Sequence, residues 1–233
     1  FDYFKNLLYL NDFDFYSFES DFDYKKQETL FIPIDLWYIK NNSDEIINFL
    51  LNFFIIVRWN TLMLLTSFNM IRKVYTSLNF ELKKHSINLY AQSIWWSKIK
   101  LINSFLKSSS NSILLWTNSF WEWVDIPWDD LKYLIIHKFP FSVPTDPIFL
   151  ARSEIFSDPF ADYWVPKAIL KLKQWFWRLI RSNSDTWLVI LLDDRINNQD
   201  WWKKFFDAFP KDINIKFWNS KQFINVLKNK INH

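Results

Sequence analysis

Glycine is absent from all 233 residues of this chain, and its absence limits the turns that the backbone can form. At ordinary usage of about 7%, roughly 16 glycines would be expected in a chain of this length. Glycine serves where a backbone takes positive φ or must approach a ligand closely. Asparagine can replace it at isolated positions, but rarely throughout a phosphate cradle. The sequence therefore argues against nucleotide binding by a glycine-rich loop and against a glycine-flanked serine nucleophile.

The segment 60–78, NTLMLLTSFNMIRKVYTSL, reads as an apolar strand, a polar turn and a helix. Nucleotide-binding α/β units often begin in this way, but here the turn at 66–69 is TSFN. Ser67 or Asn69 can cap the helix through its side chain. The pattern indicates a structural turn that does not bind a nucleotide, followed by a helix whose exposed face carries Arg72 and Lys73.

Apolar runs alternate with amphipathic segments along the chain, which predicts an α/β fold with a largely parallel sheet. The runs are continuous, as expected when helices cover both faces of the sheet. The predicted fold class is flavodoxin-like (Rossmann-like), and Pro33 indicates that the first strand lies toward a sheet edge or starts late. The predicted strands span 30–39, 61–66, 87–91, 112–117, 186–192 and 213–217, and the predicted helices 43–57, 68–84, 93–107, 128–138, 166–181, 199–209 and 220–231.

Two segments stand apart from this pattern and define the predicted domain organisation. Residues 1–28 form an acidic, aromatic N-terminal arm, and residues 29–231 form a single α/β domain. A proline-rich extension at 118–165 interrupts that domain, because six of the eight prolines fall between residues 127 and 166. Residues 1–60 carry ten acidic and five basic side chains (−5), so a net charge of +3 leaves +8 on the rest. A basic body favours nucleic acid or another anionic partner.

The composition also indicates an AT-biased organelle genome. Phe, Ile, Asn, Lys and Tyr, which AT-rich codons encode, are abundant, and tryptophan occurs 15 times. A tryptophan excess fits a genetic code that reads UGA as tryptophan, as in many mitochondria. Cysteine is absent, which excludes disulfides, and the acidic N-terminus is unlike an import signal. We therefore predict a protein of the mitochondrial matrix, encoded in the organelle, with a nuclear or viral gene of the same bias as the alternative.

Residues 46–68 are apolar enough to suggest a membrane span. Arg58, Trp59 and Asn60 lie in the middle of this stretch, where a charge inside the bilayer is costly. A helix that ends near Val57, followed by a buried strand, accounts for the same residues. No membrane span is therefore expected.

Few side chains in the sequence are candidates for a catalytic or metal-binding site. The three histidines lack the spacing of zinc ligands, and His85 and His137 are interpreted as structural. Asp193 and Asp194 follow an apolar strand, where paired carboxylates could hold Mg²⁺ or accept a phosphoryl group. The favoured interpretation is a solvated strand end, with Asp194 or Asn197 capping the next helix. No catalytic residue, metal or cofactor is predicted, and the chain is not expected to be an enzyme; a metal-dependent enzyme is the minor alternative.

The helix that begins at Pro166 carries cations on one stripe and apolar side chains on the opposite stripe. Such a stripe suits contacts with phosphates, and simple solvation is the alternative. Tryptophans beside Lys or Arg could stack on bases, although core packing is favoured for most of them. The cationic stripe comprises Lys167, Lys171, Arg178 and Arg181, and Gln174 lies on the same side of the helix.

The order of elements resembles that of the second small-subunit ribosomal protein of bacteria and organelles. The resemblance rests on IDLWYIKNNSDEIINFLLNFF, TLMLLTSFNMIRKVYTSL and INLYAQSIWW, and later on TWLVILLDDRINNQDWWKKFFDAF. It covers residues 30–107 and 185–231, but the turn glycine of that family and its basic neighbours are replaced at 66–69. It implies a flavodoxin-like fold and a non-catalytic role in the small ribosomal subunit.

The resemblance also implies the partners. They are small-subunit rRNA and other mitochondrial ribosomal proteins, with no small-molecule substrate. An accessory subunit of a mitochondrial respiratory or ATP synthase complex is the alternative function, because a high aromatic content also suits burial between proteins. The predicted rRNA-binding residues are Arg72, Lys73, Lys98, Lys100, Lys167, Lys171, Arg178 and Arg181.

Overall fold

A computed structural model gives the architecture of the chain. It describes residues 22–36, 43–94, 97–108, 111–117, 131–142, 145–177, 179–180, 185–193, 201–207 and 212–231, and the single positions 3, 5, 8, 14, 16, 182, 195 and 209. The strands are β1 (Glu28–Pro33), β2 (Asn60–Leu65), β3 (Asn88–Ala91), β4 (Ser112–Thr117), β5 (Leu131–Ile136), β6 (Trp187–Leu191) and β7 (Asn214–Trp218). The helices are α1 (Tyr24–Gln27), α2 (Ser43–Val57), α3 (Phe68–Lys84), α4 (Lys98–Lys107), α5 (Pro147–Ser153), α6 (Val165–Trp177), α7 (Trp202–Phe206) and α8 (Ser220–Ile231), with a π-helical turn at Phe160–Trp164 that leads into α6.

The seven described strands form one sheet in the order β3-β4-β2-β5-β6-β1-β7. Each neighbouring pair is parallel. This arrangement confirms the predicted fold class, an α/β fold of the Rossmann-like type. It also brings the carboxyl ends of all these strands to one edge of the sheet.

Helices cover both faces of the sheet, because successive side chains of a strand point to opposite faces. In β2, Leu62 and Leu64 pack on one face with residues of α4, α6 and α7. Met63 and Leu65 pack on the other face with residues of α2, α3 and α8. All six residues of β2 are buried, which explains why the strand reads as a continuous apolar run.

Strand β5 corrects the prediction of a short helix at 128–138, which is wrong over residues 131–136. The run LKYLII pairs with β2 on one side and with β6 on the other, as in Leu62 with Leu134 and Leu134 with Val189. A short apolar run has no periodicity that separates a buried strand from a buried helix, and the neighbouring prolines obscured it further. The division into arm, domain and extension stays a prediction.

Strand β1 is also placed differently from its prediction. It lies between β6 and β7 and not at the edge of the sheet. Pro33 is the last residue of β1, and the next residue, Ile34, donates its N–H to the carbonyl of Trp218 at 3.0 Å. A proline at a strand end interrupts the ladder only where the ladder stops, so the interior position is tolerated.

The stretch that suggested a membrane span divides into two elements. Helix α2 ends at Val57, and β2 begins at Asn60. Among the described helices, none combines the length and the hydropathy that a bilayer crossing requires.

Candidate functional site

Polar side chains collect at the carboxyl edge of the sheet, where the parallel strands end together. They lie at a strand end or within two residues beyond it, and ligands of open α/β sheets bind at this edge. The set comprises Ser67 after β2, Gln92 after β3, Thr117 at the end of β4, His137 after β5 and Asp193 after β6.

Ser67 begins helix α3 at this edge and confirms the predicted cap. Its backbone is extended (φ −154°, ψ 159°), and its hydroxyl oxygen accepts a hydrogen bond from the N–H of Met70 at 3.3 Å. The first turn of α3 contains no acidic residue. The N-terminus of a helix is an anion-binding position, because its backbone N–H groups point outward and the dipole is positive there.

A second helix, α4, begins at the same edge with the same chemistry. Ser97 caps it, and its hydroxyl oxygen accepts from the N–H of Lys100 at 3.5 Å. No acidic side chain lies in its first turn, where Lys98 and Lys100 are exposed. Two capped helix ends therefore face one edge, each accompanied by basic side chains.

Gln92 ties the ends of β3 and β4 together. Its side chain is buried, and its Oε1 accepts from the N–H of Thr117 at 2.9 Å and from the hydroxyl of Thr117 at 3.0 Å. Its own N–H donates to the carbonyl of Leu115 at 2.9 Å. This network fixes the direction in which the chain leaves β4.

Asp193 is fully buried at the end of β6, which corrects the prediction of a solvated strand end. Its Oδ2 accepts from the N–H of Phe139 at 2.7 Å, and its Oδ1 accepts from the N–H of Arg195 at 3.0 Å. The guanidinium of Arg195 donates to both oxygens, with Nε 2.8 Å from Oδ1 and the terminal nitrogen on Oδ2. A buried carboxylate is costly unless it is paired and hydrogen-bonded, and Arg195 supplies that pairing.

Arg195 is the site residue that the sequence prediction missed. It lies two positions after Asp193, and only the burial of that carboxylate reveals that the arginine is held in place. The hypothesis of a metal or phosphoryl site at Asp193 does not fit this geometry, because both oxygens face N–H donors. Asp194 and Asn197 lie outside the described residues.

The predicted phosphate-binding cations occupy different settings. Arg72 and Lys73 are exposed on the second turn of α3, and Lys98 and Lys100 are exposed on the first turn of α4. Parallel topology places these turns toward the carboxyl edge, with α3 packed on one face of the sheet and α4 on the other. Arg178 and Arg181 lie outside the described residues. All eight stay predictions as nucleic-acid contacts.

Lys167 and Lys171 are partly buried on α6. The Nζ of Lys167 lies 3.4 Å from the hydroxyl of Tyr163 and 4.7 Å from the ring centre of Phe149. Burial lowers the pKa of Lys173 on the same helix. Lys167 of the cationic stripe is thus packed against neighbouring side chains, and it is less solvated than its sequence position suggests.

Comparisons with known proteins find a matching family and several relatives. The family described as "Helicase C-terminal domain" matches residues 50–212. The 3'-5' exonuclease DinG of Bacillus subtilis is 34% identical over 202 residues, which cover 82% of this chain and 22% of that protein. The ATP-dependent DNA helicase YoaA of Haemophilus influenzae is 34% identical over 221 residues, which cover 91% of this chain and 33% of that protein. The chain therefore spans between a fifth and a third of the length of these relatives.

Solved structures agree on the fold. An XPD helicase superimposes with a TM-score of 0.58 at 17% identity, covering 82% of this chain and 36% of the other. The C-terminal domain of the DEAD-box protein Dbp5 superimposes with a TM-score of 0.52 at 15% identity, covering 89% of this chain and 97% of the other. At such identities, the likeness concerns the fold alone.

These matches show that the ribosomal prediction was wrong in several respects. The matching family is a helicase domain and not a small-subunit ribosomal protein, and the accessory respiratory or ATP synthase subunit is contradicted by the same match. The prediction that the chain is not an enzyme is contradicted, because the relatives are named as helicases and exonucleases. The resemblance followed an order of strands and helices that many α/β families share.

The predicted partners and location are corrected by the same relatives. Their names specify DNA and ATP, which contradicts rRNA and ribosomal proteins as partners and the absence of a small-molecule substrate. The relatives are bacterial, which contradicts a mitochondrial protein encoded in the organelle.

Proposed function

Because this chain belongs to the family of helicase C-terminal domains, we propose that it is the C-terminal motor domain of an ATP-dependent DNA helicase. The observation that carries the proposal is the family match over residues 50–212, which include strands β2 to β6 and the carboxyl edge that they form. The relatives whose names give the activity are three to five times as long as the matched region. The part of the activity proposed for this chain is the binding of a single DNA strand.

The carboxyl edge has the chemistry that this role requires. Phosphate contacts supply most of the affinity for DNA and fix the position of the strand. The capped N-termini of α3 and α4 offer backbone N–H groups, and the exposed cations beside them offer charge. A strand that crosses the edge from β3 toward β6 would meet these groups in turn. The proposed phosphate contacts are Ser67, Arg72, Lys73, Lys98 and Lys100.

The experiment is a salt titration of single-strand binding. The full chain and a fluorescent oligonucleotide are measured by anisotropy over a range of salt concentrations. We expect the double variant Arg72→Ala/Lys73→Ala to bind more weakly and to have a shallower slope of log affinity against log salt. Each lost phosphate contact should lower that slope by about 0.7 for a single strand.

The matched control is Lys228→Ala/Lys230→Ala, which also removes two cations from exposed helix positions. These lysines lie in the last turn of α8. Since α8 follows β7 and runs away from the carboxyl edge, its last turn is far from the proposed contacts. Equal losses in both variants would show that only net charge matters, and no binding by the unmodified chain would overturn the proposed function.

A further inference from the structure

A group of aromatic rings lies beside the carboxyl edge and is partly open to solvent. The rings of Phe141 and Phe160 are stacked, with centroids 5.8 Å apart and planes 17° apart. Trp201 meets Phe141 edge-on at 5.1 Å and Phe160 at 6.3 Å. Phe160 is 41% exposed, and the other two rings are partly exposed. These three residues, Phe141, Phe160 and Trp201, are called the aromatic platform below.

The platform rests on the core and is not a loose surface feature. Beneath it, the buried rings of Phe139 and Phe205 are 4.1 Å apart. Trp201 contacts both of them, at 5.4 Å and 5.3 Å between ring centroids. Its outer rings are therefore held in position before any ligand arrives, which lowers the entropic cost of binding.

A fixed cation completes this surface. The guanidinium of Arg195 lies 4.9 Å from the ring centroid of Phe141 and 5.7 Å from that of Trp201. Asp193 holds it through two of the five N–H groups that a guanidinium carries. The side chain of Arg195 keeps 36% exposure, so further donors are available to a ligand.

The platform lies on the same edge as the proposed phosphate contacts. Phe139 and Phe141 follow β5, and Arg195 follows β6, the next strand of the sheet. β2, which leads to Ser67, is the neighbour of β5 on the other side. Adjacent strands are about 4.8 Å apart, so the strand ends that lead to Ser67 and to Phe141 are one spacing apart, and those that lead to Ser67 and to Arg195 are two spacings apart. A short stretch of a single strand can reach both.

We propose that the aromatic platform and Arg195 form a stacking site for an unpaired nucleobase of the strand bound at the carboxyl edge. This inference rests on the proposed function and adds a base contact to it. Every base has a π-face that stacks on an aromatic ring without regard to sequence. The guanidinium beside the rings suits the phosphate of the same nucleotide, which gives the site charge complementarity to a nucleic-acid strand.

The test separates base contacts from phosphate contacts. Binding of the full chain is measured for a single-stranded oligonucleotide and for an abasic oligonucleotide of equal length, which keeps the phosphates and lacks the bases. We expect Phe160→Ala to lose roughly tenfold in affinity for the normal oligonucleotide, as loss of one stacked base predicts. Its affinity for the abasic oligonucleotide should change by less than about twofold, since phosphate contacts remain.

Two further variants keep the outcome clear. Phe160→Leu preserves apolar packing but has no π-face, so it should show the same base-dependent loss in a chain that stays folded. Phe80→Ala removes an exposed phenylalanine from α3, 69% accessible to solvent, and should leave both affinities unchanged.

The failure of this inference differs from the failure of the proposed function. If Phe160→Ala and Phe160→Leu leave the preference for the normal oligonucleotide intact while the unmodified chain binds DNA, only the stacking site is overturned. If the unmodified chain binds neither oligonucleotide, both are overturned.

Discussion

At the scale of single residues, Asp193 is the side chain on which the candidate site depends. Its two oxygens join the backbone after β5, at Phe139, to the guanidinium of Arg195 after β6. The carboxylate is fully buried, so its charge is compensated by these donors and not by water. Removing one member of a buried pair leaves the other uncompensated, which costs more than the pair contributes when intact.

We therefore expect Asp193→Asn to lower the free energy of unfolding by about 1–3 kcal/mol, the cost of leaving buried hydrogen-bond donors without their charged acceptor. Urea denaturation followed by circular dichroism measures this loss. The matched control, Asp212→Asn, makes the same chemical change at an exposed position and should stay within about 0.5 kcal/mol of the parent. An Asp193→Asn variant as stable as the control would contradict the assignment.

The residue scale also shows where sequence reasoning stops. The cap at Ser67 can be predicted from the local sequence, since a serine directly before a helical pattern is a typical N-cap residue. The platform is not local, because its rings come from positions 141, 160 and 201, and no pattern along the chain connects them. Arg195 is recognisable only after Asp193 is known to be buried. An arginine two residues after a buried strand is the signal that would direct attention to it.

At the scale of elements, most helices and strands follow from the alternation of apolar runs with amphipathic segments. Among the exceptions, β5 and the interior position of β1 have physical causes. β5 has the composition of a strand but lies among prolines, and its pairing with β2 and β6 determines its secondary structure. Pro33 suggests an edge only if it lies inside a strand, and here it ends one.

Helix α3 offers a direct test at this scale. Ser67→Ala removes the side-chain acceptor for the N–H of Met70, and we expect a loss of about 1 kcal/mol in the free energy of unfolding. Ser77→Ala, an exposed position on the same helix, should be neutral or slightly stabilising, because alanine is the better helix former. Denaturant titration of both variants gives the comparison, and equal stability of the two would exclude a capping role.

At the scale of the whole molecule, the fold class could be predicted from the sequence, whereas the function could not. The parallel α/β class follows from the sequence, but many families share that class, and the order of elements alone led to the wrong one. The charge asymmetry indicated an anionic partner and carries no information that distinguishes rRNA from DNA. Because the sequence contains no glycine, it lacks the glycine-rich loop motifs by which a nucleotide-binding protein is usually recognised.

The missing glycine acquires a different meaning once the family is known. Roughly 16 glycines are expected at about 7% usage, whereas the chain has none and has 15 tryptophans. Among the described residues, the indole N–H groups of Trp59 and Trp164 are buried without a hydrogen-bond partner. Burying such a donor is unfavourable. Where a codon is UGA, a genetic code that reads UGA as glycine would place glycine instead of tryptophan, and the buried indole N–H groups of Trp59 and Trp164 indicate two such positions.

We therefore expect glycine at positions 59 and 164 in the protein made by its native host. Mass spectrometry of the tryptic peptides 59–72 and 153–167 measures the residue at each position. Peptide 139–152, which contains no tryptophan, is the internal control and should have the mass of the printed sequence. Tryptophan masses in both test peptides would reject this expectation.

The hydrogen bond between Asp193 and Phe139 has a mechanical consequence for the motor domain proposed above. A pull on Arg195 passes to Asp193, and from there to the backbone after β5 as well as to β6. These two strands are neighbours inside the sheet, flanked by β2 and β1. A load applied at Arg195 is thus shared by two neighbouring strands in the interior of the sheet.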